Sequence, residues 1–434
     1  MPKQPEGTAK QRPGALSVEE TYRTCDPTTF AFPTTADLPP LVEIIGQERA
    51  VNAIDFGVGI RSHGYNIFAL GAPGTGKTRT VNEFLEREAE NLPIPADYVY
   101  VHNFDTPHRP NAIKMPPGHA GEFRSDMETL VEALQSAISQ AFESEEYENQ
   151  KREIQQKVSE QQETRFKALK ELAESRGFTI MRTPAGLAFA PRTTDGQPMP
   201  RELYNELPKE RQEEIDKGLE QLNEELQDVM RQVRQDERHG REAQHNLDRE
   251  VSTFAAQHLV EDLADKWKEV DEIAAYLEAV LKDVVANAND FRKRDEDQPV
   301  MIMGVPIPGG IRNESTFRRY RVNVLVDNSS VHGAPIVNES NPTFQNLVGR
   351  VEHMAQFGAL VTDFNMIKPG ALHAANGGFL VLEARDILTK PYAWDALKRT
   401  LKTGQVNIED IAQQMGWATT STLDPEPIPF SAKI

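Results

Sequence analysis

The sequence predicts an α/β protein: a parallel sheet of the phosphate-loop type, flanked by helices and interrupted by a long antiparallel helical arm that carries a small β-hairpin. Three observations predict it. The apolar run Ile67-Phe68-Ala69-Leu70 leads into Gly71-Ala72-Pro73-Gly74-Thr75-Gly76-Lys77-Thr78 and then into a helical pattern. A second apolar run, Gly377-Gly378-Phe379-Leu380-Val381-Leu382, ends in the acid Glu383. Between them, residues 123–295 are highly charged with apolar positions at helical spacing.

The glycine-rich stretch has the spacing G-x-x-x-x-G-K-T between a strand pattern and a helix pattern. Glycines let successive backbone N–H groups turn toward a polyphosphate, and the following helix N-terminus adds partial positive charge. Gly71, Ala72, Pro73, Gly74, Thr75 and Gly76 are therefore expected to cradle the phosphates of ATP. Lys77 is expected to reach the β and γ phosphates, and Thr78 to place its hydroxyl on Mg²⁺. A glycine turn with no ligand is the plain alternative, and the complete pattern in its strand-to-helix setting argues against it.

Composition narrows the classes. A chain of 434 residues supports two or three domains. No run of about 18 apolar residues occurs, so no membrane span is expected. Residues 1–13 are polar and lack the apolar stretch of a secretory leader. The single cysteine, Cys25, excludes an internal disulfide; a reducing cytoplasm is the expected location, with Cys25 a small packed residue. A net charge of -19 argues against nucleic acid as a partner, because broad phosphate-backbone binding needs clustered Lys and Arg.

Along the chain, residues 1–40 read as a lead-in, disordered by composition to about Gly14 and then packing on the next domain. Residues 41–122 read as the first part of the nucleotide domain. There, Ile45-Gly46-Gln47 precedes a helix marked by Val51, Ala53, Ile54 and Val58. Asp97-Tyr98-Val99-Tyr100-Val101-His102 alternates as a strand beside the nucleotide, and a long loop is expected through Pro117. His102, His108 and His119 lack metal-ligand spacing.

Residues 123–295 read as the inserted arm. Met127, Leu130, Val131, Leu134 and Ile138 share a helix face, and Ile154, Val158, Leu169 and Leu172 extend the helical pattern to about Arg176. Phe178-Thr179-Ile180-Met181-Arg182 and Gly186-Leu187-Ala188-Phe189-Ala190, split by Thr183-Pro184-Ala185, predict the hairpin. Leu219, Leu222, Leu226, Val229 and Val233 step by three and four, as a coiled-coil seam does.

Residues 296–434 read as the second part of the nucleotide domain, with strands near Val300 and over residues 320–327. Glu383, at the end of a buried-type strand, is expected to hold the water shell of Mg²⁺. Asp386 lies three residues further on and joins Glu383 on one side if the chain turns helical there, which makes it the candidate for activating water. A partly basic helix then runs over residues 392–402, and residues 427–434 alternate as a final strand.

Ile45-Gly46-Gln47, the glycine loop, the long helical insertion, and Pro369-Gly370-Ala371-Leu372-His373-Ala374-Ala375-Asn376-Gly377-Gly378 running into Glu383 together resemble the ATPase (AAA+) part of Lon-like ATP-dependent proteases, the B-type and related bacterial group. The resemblance covers nearly the whole chain from about Leu16. It implies ATP and Mg²⁺ as cofactors, and a homo-oligomeric ring that unfolds protein substrates and threads them into a C-terminal serine protease domain with a Ser-Lys dyad. It implies an adenine-side place for Ile45 and Gly46, nucleotide and Mg²⁺ roles for Lys77, Thr78 and Glu383, and a substrate-gripping loop at Phe357. The sequence departs from the family where Ala384 follows Glu383, the position at which a second acid normally polarises the attacking water. No protease dyad is found, so the chain is expected to be the ATPase portion, truncated before the protease domain and without peptidase activity. Two other readings fit less of the sequence: a DNA-associated coiled-coil P-loop ATPase, and a nucleotide-binding scaffold without turnover.

Overall fold

The computed structural model describes residues 16–22, 24–39, 47–60, 64–183, 186–193, 197–292, 300–302, 305–307, 316–356, 359–409 and 423–434. In chain order, helices α1 (Glu48–Gly59) and α2 (Lys77–Glu90) precede strands β1 (Asp97–Val101) and β2 (Asn111–Met115). Four further elements build the helical region: α3 (Ala120–Glu143), α4 (Glu145–Ser175), and the hairpin strands β3 (Phe178–Thr183) and β4 (Gly186–Pro191). The short α5 (Arg201–Asn205) leads into the 58-residue α6 (Lys209–Lys266), followed by α7 (Asp271–Ala286) and α8 (Ala288–Phe291). Short strands then alternate with short helices: β5 (Val300–Ile302), β6 (Val305–Ile307), β7 (Asn323–Val326), β8 (Ile336–Glu339), β9 (Arg350–Val351), β10 (Met354–Gln356), β11 (Ala359–Val361), β12 (Ile367–Lys368) and β13 (Phe379–Leu382). After the helices Ala384–Thr389 and Ala393–Thr403 come β14 (Gln405–Val406) and β15 (Ile428–Pro429).

The largest core joins the β1-β2 sheet to the helices. Val99, Val101, Ile113 and Met115 pack with Phe123, Met127, Leu134 and Ile138 of α3 and with Ile273, Leu277, Val280 and Val284 of α7. The α3 positions recur every three or four residues, so one stripe faces inward. Each of these fully buried side chains is worth about 1.5–3 kcal/mol over its exposed state. This core runs continuously across residue 122, so the root of the helical region and the β1-β2 sheet form one packed unit.

Beyond that root, α4 and α6 run antiparallel. Tyr147 donates to Asp248 (2.8 Å), Arg165 donates twice to Asp236 (2.6 and 3.1 Å), and Ala173 packs with Leu222: as α4 numbers rise, α6 numbers fall. The absent side chain of Gly240 makes room for Val158 across the pair, since a Cβ there would sit 2.6 Å from Val158 Cγ2. Ser144 separates α3 from α4; its hydroxyl accepts from the Tyr147 N–H and so caps α4.

Several expectations need correction. The larger sheet is antiparallel, in the order β2-β1-β7, and the parallel sheet is small. The parallel sheet has one strand pair, β8 with β13, extended by a parallel bridge from Phe379 to Lys433. The strand over Asp97–Val101 is present, but its partners are β2 and β7. The loop expected through Pro117 contains β2, whose register with β1 is set by Val99 opposite Ile113. The helical pattern of the coiled-coil seam runs on unbroken through Val251 to the end of α6 at Lys266. The lead-in over residues 24–39 buries no side chain, and Cys25 is exposed rather than packed. Its apolar residues are too few and too broken by Pro33 and Pro39 to form a face that could bury it.

Candidate functional site

The glycine loop stands between an extended segment and α2. Gly74 and Gly76 have φ of 78° and 79°, the left-handed region that side chains resist, and Gly76 is the residue from which α2 starts. A Cβ at either would meet nothing within 4 Å, so backbone conformation alone explains these two glycines. No side chain caps α2, which leaves the N–H groups of its first turn open. Lys77 curls back over the loop, its Nζ donating to the carbonyls of Gly71 (2.6 Å) and Ala72 (3.1 Å), while the Thr75 hydroxyl donates to Ala72 (2.9 Å). Thr78 follows on the first turn with its side chain exposed. Open amides, a flexible cation and no carboxylate between Gly71 and Thr78 make a donor set that fits a polyphosphate.

The sheet places this loop relative to Glu383. The Ile67 N–H donates to the Ile434 carbonyl (2.8 Å), the Leu380 N–H to Lys433 (2.8 Å), and the Lys433 N–H to Gly378 (3.0 Å). Residues 433–434 therefore lie between the segment leading into the glycine loop and β13, with β8 beyond. Asn376 helps seat this terminal segment, donating to the Pro429 carbonyl (2.7 Å) and accepting from the Ser431 N–H (2.9 Å). Val58, Leu85, Ala89, Ala334 and Phe379 form the core under α1 and α2, with Ile54, Ile67, Ile336 and Val381 against it.

Direction follows from a cavity of about 300 Å³ at one edge of this sheet. It is lined by Val58 and Ile60 at the end of α1, Glu88 and Leu92 at the end of α2, Tyr65 and Asn66, and Gly377 and Gly378 just before β13. Both helices thus finish at the edge where the strands begin. The starts of α1 and α2 consequently lie at the other edge, the carboxyl ends of the strands, where ligands of open α/β sheets bind. The glycine loop and Glu383 share that edge.

Glu383 is exposed, immediately precedes the helix Ala384–Thr389, and makes no side-chain cap to it. The chain does turn helical after Glu383, as the pairing with Asp386 requires, and Asp386 sits half-buried in the first turn. Neither carboxylate is in a side-chain hydrogen bond or ion pair among the described residues. Ile45, Gly46 and Phe357 lie outside the described residues; the strands β10 and β11 that flank Phe357 pair antiparallel, Met354 opposite Val361.

Sequence reasoning did not single out Asn376, Lys433 or His373. The imidazole of His373 is fully buried: Nδ1 accepts from the Gly370 N–H (3.3 Å), Nε2 has no partner among the described residues, and burial pushes its pKa down to about 3. The Asn-Gly-Gly run was the available signal for Asn376. Nothing local marks Lys433.

A glycine loop at a helix start and an acid-ended strand on the same edge of a parallel sheet define a nucleotide-binding α/β domain of the P-loop class. Residues 332–434, from just before β8 to the terminal segment, match the family described as LonB-like, AAA domain. Residues 97–130, covering β1, β2 and the first turns of α3, match the Lon-like LonC helical domain. The chain carries a Lon-like AAA+ portion, and the AAA match implies nucleotide binding. No curated protein matches the chain. No helix among the described residues is long and apolar enough to cross a membrane.

Proposed function

We propose that this chain is the ATPase module of a Lon-like ATP-dependent protease, which takes ATP with Mg²⁺ on residues 71–78 and couples its hydrolysis to unfolding and translocation of protein substrates in a homo-oligomeric ring. The observation that carries it is the shared sheet edge of the glycine loop and Glu383. Lys77 holds the β and γ phosphates, and the open amides at the start of α2 hold the rest of the chain of phosphates. Thr78 and Glu383 supply the hard oxygen ligands that Mg²⁺ takes, Glu383 through water. Bound there, Mg²⁺ neutralises charge on the transferring phosphoryl group. Asp386 is the general base for water, replacing the acid that Ala384 lacks. Ile45 and Gly46 flank the adenine, and Phe357 grips substrate. Residues 123–295 form the arm inserted between the two parts of the ATPase, residues 41–122 and 296–434, and the antiparallel pairing of α4 with α6 supports a coiled coil there.

Ala384 favours one second reading, a nucleotide-binding scaffold without turnover. ATP binding and phosphate release, measured for the chain and for Lys77→Ala and Asp386→Ala with and without a casein-like unfolded protein, separate the two. Hydrolysis that Lys77→Ala abolishes and Asp386→Ala slows supports the motor. Tight ATP binding with no phosphate released supports the scaffold.

A further inference from the structure

Helix α1 is thinly attached to the domain. Most of its residues are exposed; Val58 is its one buried side chain, helped by Ile54 and by Gly57 lying against Ile67 (3.2 Å from a Cβ built there to Ile67 Cγ1). The Asp55–Arg87 ion pair to α2 (2.8 Å) is roughly two-thirds exposed on both sides, and such pairs contribute little. The strongest attachment comes from the other end of the sequence. Lys433 Nζ donates to three carbonyls at the end of α1: Gly57 (2.6 Å), Val58 (2.8 Å) and Ile60 (2.5 Å). All three donors of the ammonium are used on the carbonyls that a helix end leaves without partners, where a cation also meets the negative end of the helix dipole. Burial lowers the pKa of this amine, and the Glu88 carboxylate opposes that fall.

The backbone of Lys433 is equally committed. Its N–H and carbonyl pair with Gly378 and Leu380 around the start of β13, and the next residue, Ile434, accepts from Ile67 and donates to the Asn66 side chain (3.0 Å). Lys433 thus joins α1 to the strand that ends at Glu383, and the adjacent Ile434 carries the link on to the segment that runs into the glycine loop. The far end of α1 starts at the same sheet edge as the loop, the edge on which the nucleoside attached to those phosphates must fall.

We infer that Lys433 is a positioning residue for the nucleoside half of the ligand: by clamping the end of α1 to the strand between the loop and Glu383, it sets where the start of α1 meets the base and ribose. Lys433 acts in this way only if the loop takes a nucleotide, as proposed above. The phosphate cradle itself contains no part of α1, so the two halves of the ligand respond differently to its loss.

Titration calorimetry of the chain and of Lys433→Met and Lys433→Arg, with ATP and with inorganic tripolyphosphate, each with Mg²⁺, tests this. The expected result is an ATP affinity about tenfold weaker in Lys433→Met, tripolyphosphate affinity equal to wild type, and recovery of ATP binding in Lys433→Arg. Unchanged affinity for both ligands in Lys433→Met overturns the inference. Equal weakening for both overturns it too, since that outcome marks general loss of the fold. A wild-type chain that binds neither ligand overturns the nucleotide reading and, with it, this role for Lys433.

Discussion

The ammonium of Lys77 lies 2.6 Å from the carbonyl of Gly71, so the cation at the start of α2 rests on the first residue of its own loop. This contact is exposed and contributes little to stability, whereas the same charge on a polyphosphate is worth about 1.5–3 kcal/mol. Lys77→Met is expected to lower ATP affinity about tenfold or more while shifting the unfolding free energy by less than about 0.5 kcal/mol. Calorimetry and urea denaturation of the same samples check both halves.

Gly76 starts α2 with a φ of 79°. Gly76→Ala forces a side chain into the left-handed region at a cost of about 1–2 kcal/mol. The amides of the first turn then rotate away from a common point, and ATP binding weakens. Gly71→Ala is the contrast: its φ is ordinary and the nearest atom to a new Cβ is Lys77 Cδ at 3.2 Å, on a flexible chain that yields. Binding assays on the pair are expected to rank Gly76→Ala below Gly71→Ala.

The proposed roles divide the chemistry between Glu383, which holds Mg²⁺ through water, and Asp386, which activates the attacking water. Asp386→Asn is expected to slow phosphate release by about 10²-fold or more and leave ATP affinity unchanged, because a general base acts on water and not on the bound ground state. Glu383→Gln is expected to change the Mg²⁺ concentration required for turnover. Phosphate release across a Mg²⁺ titration distinguishes the two variants.

His373 makes stability depend on pH. Burial holds its pKa at about 3 in the fold, whereas the unfolded value is about 6.5, so below pH 6.5 the unfolded chain binds the extra proton. The stabilising effect of its neutral form is fully present above pH 6.5 and is lost as pH falls toward 3. Between pH 6.5 and pH 5 the loss is about 2 kcal/mol. Urea unfolding at a series of pH values is expected to show that slope in the chain and a flatter one in His373→Gln.

Arg165 and Asp236 tie α4 to α6 through a forked contact in which Asp236 is almost wholly buried. Asp236→Ala leaves the guanidinium with Gln232 Oε1 as its remaining acceptor and is expected to cost about 1–2 kcal/mol in the stability of the helical pair. Hydrogen exchange at the α4 and α6 amides, faster in the variant than in the chain, is the readout.

Local patterns were legible and distant ones were not. The glycine loop could be read because its four fixed residues, Gly71, Gly76, Lys77 and Thr78, fall within eight contiguous positions, and α3 because Met127, Leu130, Leu134 and Ile138 mark one face. The β3-β4 hairpin could be read because Thr183-Pro184-Ala185 interrupts two alternating runs. β2 was hidden: it contributes only Ile113 and Met115 as large apolar residues and is framed by Pro110 and Pro116. That β1 is antiparallel to β7 was beyond reach, since the pairing spans the whole helical region and its register shifts between Tyr98 and Val99. Lys433 was invisible for the same reason, its three acceptors lying 373 to 376 positions away.

The hydrogen bond from Ile434 to Asn66 closes a loop of 368 positions, and its consequence is an order of assembly during synthesis. The core shared by β1, β2, α3 and α7 contains no residue beyond Val324 and can begin to collapse while the ribosome is still translating. The sheet under the glycine loop cannot: until residues 430–434 emerge, Ile67 lacks its backbone hydrogen-bond partner in the sheet and β13 pairs only with β8. The helical body therefore matures before the sheet under the glycine loop, which waits for residues 430–434 to emerge.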